Sequence, residues 1–341
     1  MKKRSRKELI PLTGSGAPPG AVRTERGVRF AFFSRKAKQV TLLLYEIDAS
    51  EPFATFPLTR SGDMRHIEID GLFPPFEYLY LCETEGGEIR VADPYARRIN
   101  TREQWGAPPP ELRGRMYAEP SFDWQDSCRP LTPWGESIIY EMHVRGFTRD
   151  PSSRVRHPGR FTAIIEKIPY LKELGITAVE LMPLHEFDET ETHGRVGPRG
   201  ERLHNYWGYG STHFFAPMKR FGAPEELKTV VRELHKSGIE VIVDVVYNHT
   251  SDRFPSGPDG ESYHIMHEGH HTNYSGCGNT LRCQHPVVRD LILSSLRYYM
   301  TEFQVDGFRF DLASVLTRNE TGSPMDAPPL IAEITEVPAV A

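Results

Sequence analysis

Cysteine is scarce in this chain: four in 341 residues, at Cys82, Cys128, Cys277 and Cys283. That is too few and too scattered for the disulfide framework of a small secreted domain. Cys277 and Cys283 flank a Gly-Asn turn, yet a reduced pair in a cytoplasmic protein is the expectation. That compartment also removes Asn248-His249-Thr250 and Asn273-Tyr274-Ser275 as glycan acceptors. No apolar run is long enough to span a membrane, and no apolar segment follows the basic cluster Lys2-Lys3-Arg4 with Arg6-Lys7. Neither a transmembrane anchor nor a secretory signal is therefore expected, and the cluster reads as a solvated tail. A basic face is missing too. With 41 Lys and Arg against 46 Asp and Glu, the net charge is −5, which argues against nucleic acid as the partner. What the chain has in quantity is 28 Gly, 28 Pro and 11% aromatics, the composition of a loop-rich globular protein of two domains.

Residues 1–130 show no strong helical period. Val28–Ser34, Gln39–Tyr45, Arg65–Asp70 and Glu77–Glu83 read as short strands, with turns at Ser61-Gly62-Asp63, Pro74-Pro75 and Glu85-Gly86-Gly87. Such spacing predicts a small β-sandwich. The Pro-rich stretch Ala107–Pro110, then Cys128–Pro133, reads as a linker. After Trp134 the pattern changes. Strands are expected at Ser137–His143, Thr177–Met182, Glu240–Val246 and Val305–Asp311, and helices at Thr162–Glu173, Pro224–Lys236 and Pro286–Met300. Gly175 and Gly238 follow the first two helices as stops. Near-continuously apolar strands alternating with helices describe a parallel sheet or barrel buried on both faces. Long loops at Pro183–Ala223 and Tyr247–His285 follow strand carboxyl ends, where such folds place their chemistry.

Three strand ends carry candidate residues. Strand side chains alternate, so Gly307, Arg309 and Asp311 share one face and Phe308 and Phe310 the other. Taken alone, Arg309 and Asp311 have an alternative reading as an ordinary buried ion pair. Asp244, Asn248 and His249 close the preceding strand; Asp244 can orient an arginine, and His249 can donate to a substrate hydroxyl. Tyr206, Trp207 and Tyr209 lie within a glycine-hinged loop, where aromatic faces suit the C–H faces of sugars. Each has a bland alternative in packing; together, at successive strand ends, they point to a sugar site. His264, His267, His270 and His271 suit zinc on paper, but no metal is expected in that substrate-side loop.

Asp244-Val-Val-Tyr-Asn-His249 and Gly307-Phe-Arg-Phe-Asp-Leu-Ala313 resemble the first two signature regions of the α-amylase superfamily, glycoside hydrolase family 13. Tyr140-Glu-Met-His-Val-Arg-Gly-Phe-Thr148, Asn205-Tyr-Trp-Gly-Tyr209, Asn273-Tyr-Ser-Gly-Cys-Gly-Asn279 and Ala313-Ser-Val-Leu316 are similar to isoamylase-type debranching enzymes. Gly27-Val-Arg-Phe-Ala-Phe-Phe-Ser34 and Val91-Ala-Asp-Pro-Tyr-Ala96 resemble the starch-binding-type sandwich that precedes their barrel. The resemblance covers about residues 17–341. It implies a multidomain chain: a flexible basic tail at 1–16, an immunoglobulin-like, CBM48-like sandwich at 17–118, a linker at 119–136, and at 137–341 the first four βα units of a (β/α)8 TIM barrel. It implies hydrolysis of α-1,6 branch linkages of glycogen, amylopectin or limit dextrin by a retaining mechanism. Asp311 would be the nucleophile and Arg309 its orienting partner. Tyr209, His249, Asp244, Asn248 and Trp207 would contact or support the substrate. Asn248 matches a calcium-binding position of many amylases, but isoamylase-type members do not reliably keep it, so no cofactor is expected.

The family's general acid/base comes from the end of strand five and its stabilising Asp from strand seven, and neither segment matches here. Glu333 and Glu336 fall on the helical stripe Leu330, Ile331, Ile334, Val337, ended by Pro338, and receive no catalytic role. The expectation is a truncated debranching enzyme, inactive by itself. The alternatives are a non-catalytic α-glucan-binding protein and another α-glucan-active member of the superfamily. Nucleic acid and membranes are not expected partners.

Overall fold

The computed structural model describes residues 9–118, 121–192 and 194–337. The basic cluster, the first two residues of the expected linker and Pro338 lie outside the described residues. The chain divides into two compact units: residues 1–101, 110–120 and 255–260 in the first, and 102–109, 121–254 and 261–341 in the second.

The first unit is two antiparallel sheets of five strands each. One runs in the order Ile10–Leu12, Met64–Asp70, Gly27–Phe33, Gly20–Arg23, with Thr59–Ser61 also on Met64–Asp70. The other runs Gly114–Met116, Phe76–Thr84, Gln39–Tyr45, Pro52–Pro57, with Gly87–Val91 also on Phe76–Thr84. Alternate residues of both sheets (Val28, Phe30, Phe32, Leu42, Leu44, Ile67, Ile69, Tyr78 and Tyr80) share one core, as strand alternation requires. Residues 9–16 correct the expected flexible tail. Ile10–Leu12 pairs with Asp70–Glu68, and Leu9 packs against the core. Short apolar stretches after the charged cluster are enough to dock this strand.

Arg65 and Glu77 are among the charged side chains buried inside. Arg65 is 1% exposed, and its Nη2 donates to the Ala37 carbonyl at 2.9 Å. Glu77, also 1% exposed, takes Arg115 at 2.7 Å and Arg113 at 3.5 Å. Burial of these charges is tolerable because each is partnered.

The second unit is built on a four-stranded parallel sheet in sequence order: Ile139–Met142, Ala178–Leu181, Glu240–Val245 and Gly307–Phe310. In-register pairs run Glu141 to Glu180, Glu180 to Ile242, and Asp244 to Arg309. Helices Pro224–Lys236 and Pro286–Glu302 connect the later strands. Both begin with proline in the first turn, where the missing N–H has no partner to lose. The helix expected over Thr162–Glu173 is instead two, Phe161–Ile165 and Ile168–Glu173. Pro169 supplies no N–H, and its ring crowds the carbonyl four residues back, which favours a break here. The loop expected over 183–223 contains an antiparallel pair, His185–Phe187 with Ser211–Pro217, the second strand wholly buried. Among the described residues no helix is long and apolar enough to cross a membrane.

Candidate active site

The carboxyl ends of the third and fourth parallel strands bring the charged candidates together. Pairing of Asp244 with Arg309 across the ladder places both side chains on one face. Arg309 Nη1 donates to Asp244 Oδ1 at 3.1 Å and Oδ2 at 3.0 Å, and to Asp311 Oδ1 at 3.0 Å. One guanidinium nitrogen thus bridges two carboxylates from adjacent strands. Burial acts against the Arg309 cation, yet the bonds and charge of Asp244 hold its pKa above the ordinary range. Asp244 is fully enclosed. Burial pushes its pKa up, while donors from Tyr209 and Arg309 act to keep it ionised.

Asp311 is also held by its neighbour strand. Asn248 Nδ2 donates to the Asp311 carbonyl at 2.9 Å and to Oδ2 at 3.0 Å. The Asp311 N–H donates to the Val245 carbonyl at 3.1 Å, the last rung before the chain turns. Leu312 then adopts φ 42° in the left-handed region, which a branched side chain seldom accepts. That strained turn ends the strand directly behind Asp311.

His249 Nδ1 lies 2.5 Å from Asn248 Oδ1. Since Asn248 Nδ2 is occupied as a donor, this oxygen is the acceptor and fixes the imidazole proton on Nδ1. Burial lowers the His249 pKa, opposed by the charge of Asp311 and a backbone bond with Tyr209. Tyr209 donates its hydroxyl to Asp244 Oδ2 at 2.6 Å, and burial with this bond raises its pKa. Its loop bends at Gly208, φ 85°, where a Cβ would fall 2.7 Å from the Phe187 ring. Trp207 is 62% exposed, its ring 6.4 Å from that of Tyr209.

Tyr209 and His249 form one wall of an open cleft of about 560 Å³ that Glu191, Arg195, Asn205 and Cys277 continue. Cys277 is exposed and Cys283 buried, and both thiols are free. Glu191 joins two loops across the cleft, accepting from Ser251 Oγ at 2.5 Å and Asp252 N at 2.8 Å.

Sequence reasoning brought together Asp244, Asn248, His249, Tyr209, Arg309 and Asp311, and the structure places all six in one connected group. It missed Glu141 and Glu180. Glu141, Glu180 and Asp244 form the one group of three acidic, His or Cys ligand atoms near enough to hold a cation among the described residues. Arg309 supplies the positive charge there itself, with Nε 4.0 Å from Glu180. Burial, then Glu141 and Asp244, raise the Glu180 pKa. A glutamate inside an otherwise apolar strand, Ala178–Leu181, was the signal. The histidines at 264–271 form no such group among the described residues. His267 and His270 instead pair across a small hairpin. Glu333 binds Arg289 at 3.0 Å on the helix Pro329–Thr335, as a surface ion pair.

The α-amylase catalytic-domain family model matches residues 131–263. Carbohydrate-binding module 48, the isoamylase N-terminal domain, matches residues 18–96. Isoamylase 1, chloroplastic, of Oryza sativa subsp. japonica is 39% identical over 391 residues, which cover 96% of this chain and 48% of that protein. A glycogen debranching enzyme of Escherichia fergusonii is 36% identical over 90% of this chain and 51% of its own length. Pullulanase from Bacillus acidopullulyticus superposes with a TM-score of 0.73 at 30% identity, over 89% of this chain and 39% of that one. Pullulanase from Paenibacillus barengoltzii, solved with maltohexaose and alpha-cyclodextrin, shares the fold at TM-score 0.78 and 23% identity, over 96% of this chain and 52% of that one. The chain spans about half the length of the curated relatives it matches. With an isoamylase-type module followed by α-amylase catalytic-domain sequence, the chain belongs to the α-amylase superfamily, glycoside hydrolase family 13.

Proposed function

We propose that this chain carries the nucleophile side of an α-glucan debranching site, which opens α-1,6 branch linkages with retention of configuration. The observation that carries it is the Arg309 bridge, which holds Asp311 and Asp244 together at two strand ends beside the Tyr209 and His249 wall. In this mechanism Asp311 attacks the anomeric carbon and forms a glycosyl ester, which water then opens. Arg309 and Asn248 hold the attacking carboxylate in place. Tyr209 offers its ring to the sugar face while its hydroxyl anchors it to Asp244, and His249 meets a sugar hydroxyl. Trp207 extends the aromatic surface. The four-stranded parallel sheet is, in this proposal, the first half of a (β/α)8 barrel. Relatives named isoamylase and glycogen debranching enzyme support the α-1,6 linkage as the target, and the pullulanase bound to maltohexaose supports an α-glucan ligand.

Protonation of the leaving oxygen needs a second carboxylic acid, worth roughly 10²–10⁴-fold in rate. Neither Glu333 nor Glu336 sits at a strand end, and neither is assigned that role. Residues 1–341 by themselves are therefore expected to release no reducing ends from a limit dextrin. Clear turnover would overturn this. An activated 5-fluoro-α-glucosyl fluoride separates the two functions, because fluoride leaves without a proton. Mass spectrometry is expected to find the sugar ester on Asp311, and none in Asp311→Asn. Equal labelling of the variant would remove Asp311 from the nucleophile role.

A further inference from the structure

We propose that Glu191 and Asn279 are positioning residues, which together clamp the segment 249–252 and so fix His249 in the cleft. The inference deepens the proposed function and rests on it in one respect: it takes the cleft beside Tyr209 as the glucan site. Residues 249–252 follow the third parallel strand and lie in no helix or strand, yet His249, Thr250 and Ser251 are buried. Buried backbone outside a ladder must find its partners elsewhere, since an unpaired N–H or C=O costs about as much as a lost hydrogen bond. Side chains from two loops supply those partners.

Asn279 Oδ1 accepts from the Thr250 N–H at 3.0 Å, and Asn279 Nδ2 donates to the Thr250 carbonyl at 2.8 Å. One amide thus satisfies both backbone groups of the residue beside His249. Glu191 takes the next two residues: Oε2 accepts from Ser251 Oγ at 2.5 Å and Oε1 from the Asp252 N–H at 2.8 Å. The Ser251 N–H completes the set by donating to the Ser211 carbonyl at 3.1 Å, two residues beyond Tyr209.

Both clamping groups are themselves held. Asn279 is buried, and Ser275 Oγ donates to its carbonyl at 2.5 Å, while the Gly278 N–H donates to Asn273 Oδ1 at 2.8 Å. Presenting the Asn279 amide to Thr250 gives the run Asn273–Asn279 a task that chemistry at Asp311 leaves unassigned. Glu191 lies beside the loop of Tyr209, since a Cβ on Gly210 would fall 3.9 Å from Glu191 Oε2. Both Glu191 oxygens are engaged by residues 251 and 252, so it acts through that segment. A segment ordered before the sugar arrives loses no freedom on binding, which puts the effect of the clamp on affinity.

The test is calorimetric titration of the 341-residue chain with maltohexaose, beside labelling of Asp311 by the activated fluoride. Glu191→Ala is expected to weaken maltohexaose roughly fivefold, the worth of about one hydrogen bond. Glu191→Gln keeps an oxygen for the Asp252 N–H and is expected to recover most of that loss. Asn279→Asp keeps the shape but sets an oxygen against the Thr250 carbonyl, and is expected to lose roughly tenfold or more. The double variant Glu191→Ala, Asn279→Asp is expected to lose little more than Asn279→Asp alone, because a freed segment has no second clamp to lose. Losses that multiply would overturn the shared clamp. In labelling, each variant is expected to raise the half-saturating concentration more than it lowers the limiting rate; a fall in limiting rate alone would overturn the positioning role. Hydrogen exchange is expected to quicken at the Thr250 and Asp252 amides and not in the helix Pro286–Glu302. Quickening in that helix as well would make the two residues general stabilisers and overturn the role. A parent chain that neither binds maltohexaose nor labels at Asp311 would overturn the glucan reading and this inference with it. A parent that binds, with affinity unchanged in Glu191→Ala and Asn279→Asp, would overturn the clamp alone.

Discussion

At Tyr209 one side chain does two separable things. Its ring walls the cleft, and its hydroxyl donates to Asp244 at 2.6 Å. Phenylalanine keeps the first and removes the second. Tyr209→Phe is therefore expected to hold maltohexaose nearly as well as the parent, whereas Tyr209→Ala loses roughly fivefold, the value of about 1 kcal/mol for an aromatic platform. Calorimetry distinguishes them, and equal losses would show that the hydroxyl, not the ring, sets affinity. Labelling by the activated fluoride moves differently. Asp244 without its tyrosine donor leans wholly on Arg309, so Tyr209→Phe is expected to slow ester formation on Asp311 even where binding survives. Arg309→Ala is more severe, since it leaves Asp244 and Asp311 facing each other without a cation. The grouping of Asp244, Arg309 and Asp311 was legible because they sit at fixed alternation on strands whose pairing follows from their apolar runs. Glu180 was overlooked because its partners come from other strands, Glu141 from the neighbouring one and Arg309 from the second one over on the other side, and no local pattern announces them.

Among elements, the segment 102–109 shows what local patterns do not carry. Its prolines read as linker, yet it belongs to the second unit and docks there on charge and aromatic contacts. Arg220, 2% exposed at its side chain, pairs with buried Glu189 and lies 3.5 Å from Glu186. It also donates to the carbonyls of Gln104 at 3.2 Å and Ala107 at 3.3 Å. The Gly106 N–H donates to Glu189 at 2.8 Å. Trp105 meets the Tyr206 ring at 5.6 Å, and the Tyr206 ring stacks on that of His143 at 4.7 Å. Tyr206 is three residues from Tyr209, so this packing also steadies the loop that carries the cleft wall. Removing one partner of a buried ion group strands the others, at about 3–5 kcal/mol. Arg220→Ala is expected to lower unfolding stability by about that amount in urea. A loss below about 1 kcal/mol would mean that water or rearrangement reaches the two glutamates. By contrast, Pro224–Lys236 was readable to the residue. Proline opens it, Gly238 follows it, and its buried side chains Leu227, Val230, Val231 and Leu234 repeat at helical spacing. Pattern reveals elements stabilised by their own periodicity; it is silent where a segment is held by partners a hundred residues away.

For the molecule as a whole, the two units are expected to answer acid in opposite directions. In the second unit, burial lowers His143 to about 4 and His185 and His213 to about 3. An unfolded histidine titrates near 6.5, so below that pH the unfolded chain binds more protons than the folded one, and stability falls as pH falls. From pH 7 to 5 each of these histidines is expected to remove on the order of 2 kcal/mol. In the first unit, burial raises Asp93 to about 6, against bonds from Tyr95, Tyr78 and Ala21. Here the folded state holds its proton more tightly than the unfolded one, so the contribution is full below about 4 and is lost as pH rises through about 6. The same change from pH 7 to 5 is expected to return about 1 kcal/mol to the sandwich. Hydrogen exchange at pH 7 and 5, corrected for intrinsic rates, resolves the two units separately. Amides of Ala178–Leu181, Ser211–Pro217 and Glu240–Val245 are expected to lose protection, while those of Gly27–Phe33 and Phe76–Thr84 keep or gain it. Asp93→Asn isolates the second effect, because an amide cannot ionise: the sandwich should then show no gain on acidification. Loss of protection in both units alike would mean that they open together and that the histidines govern the whole chain.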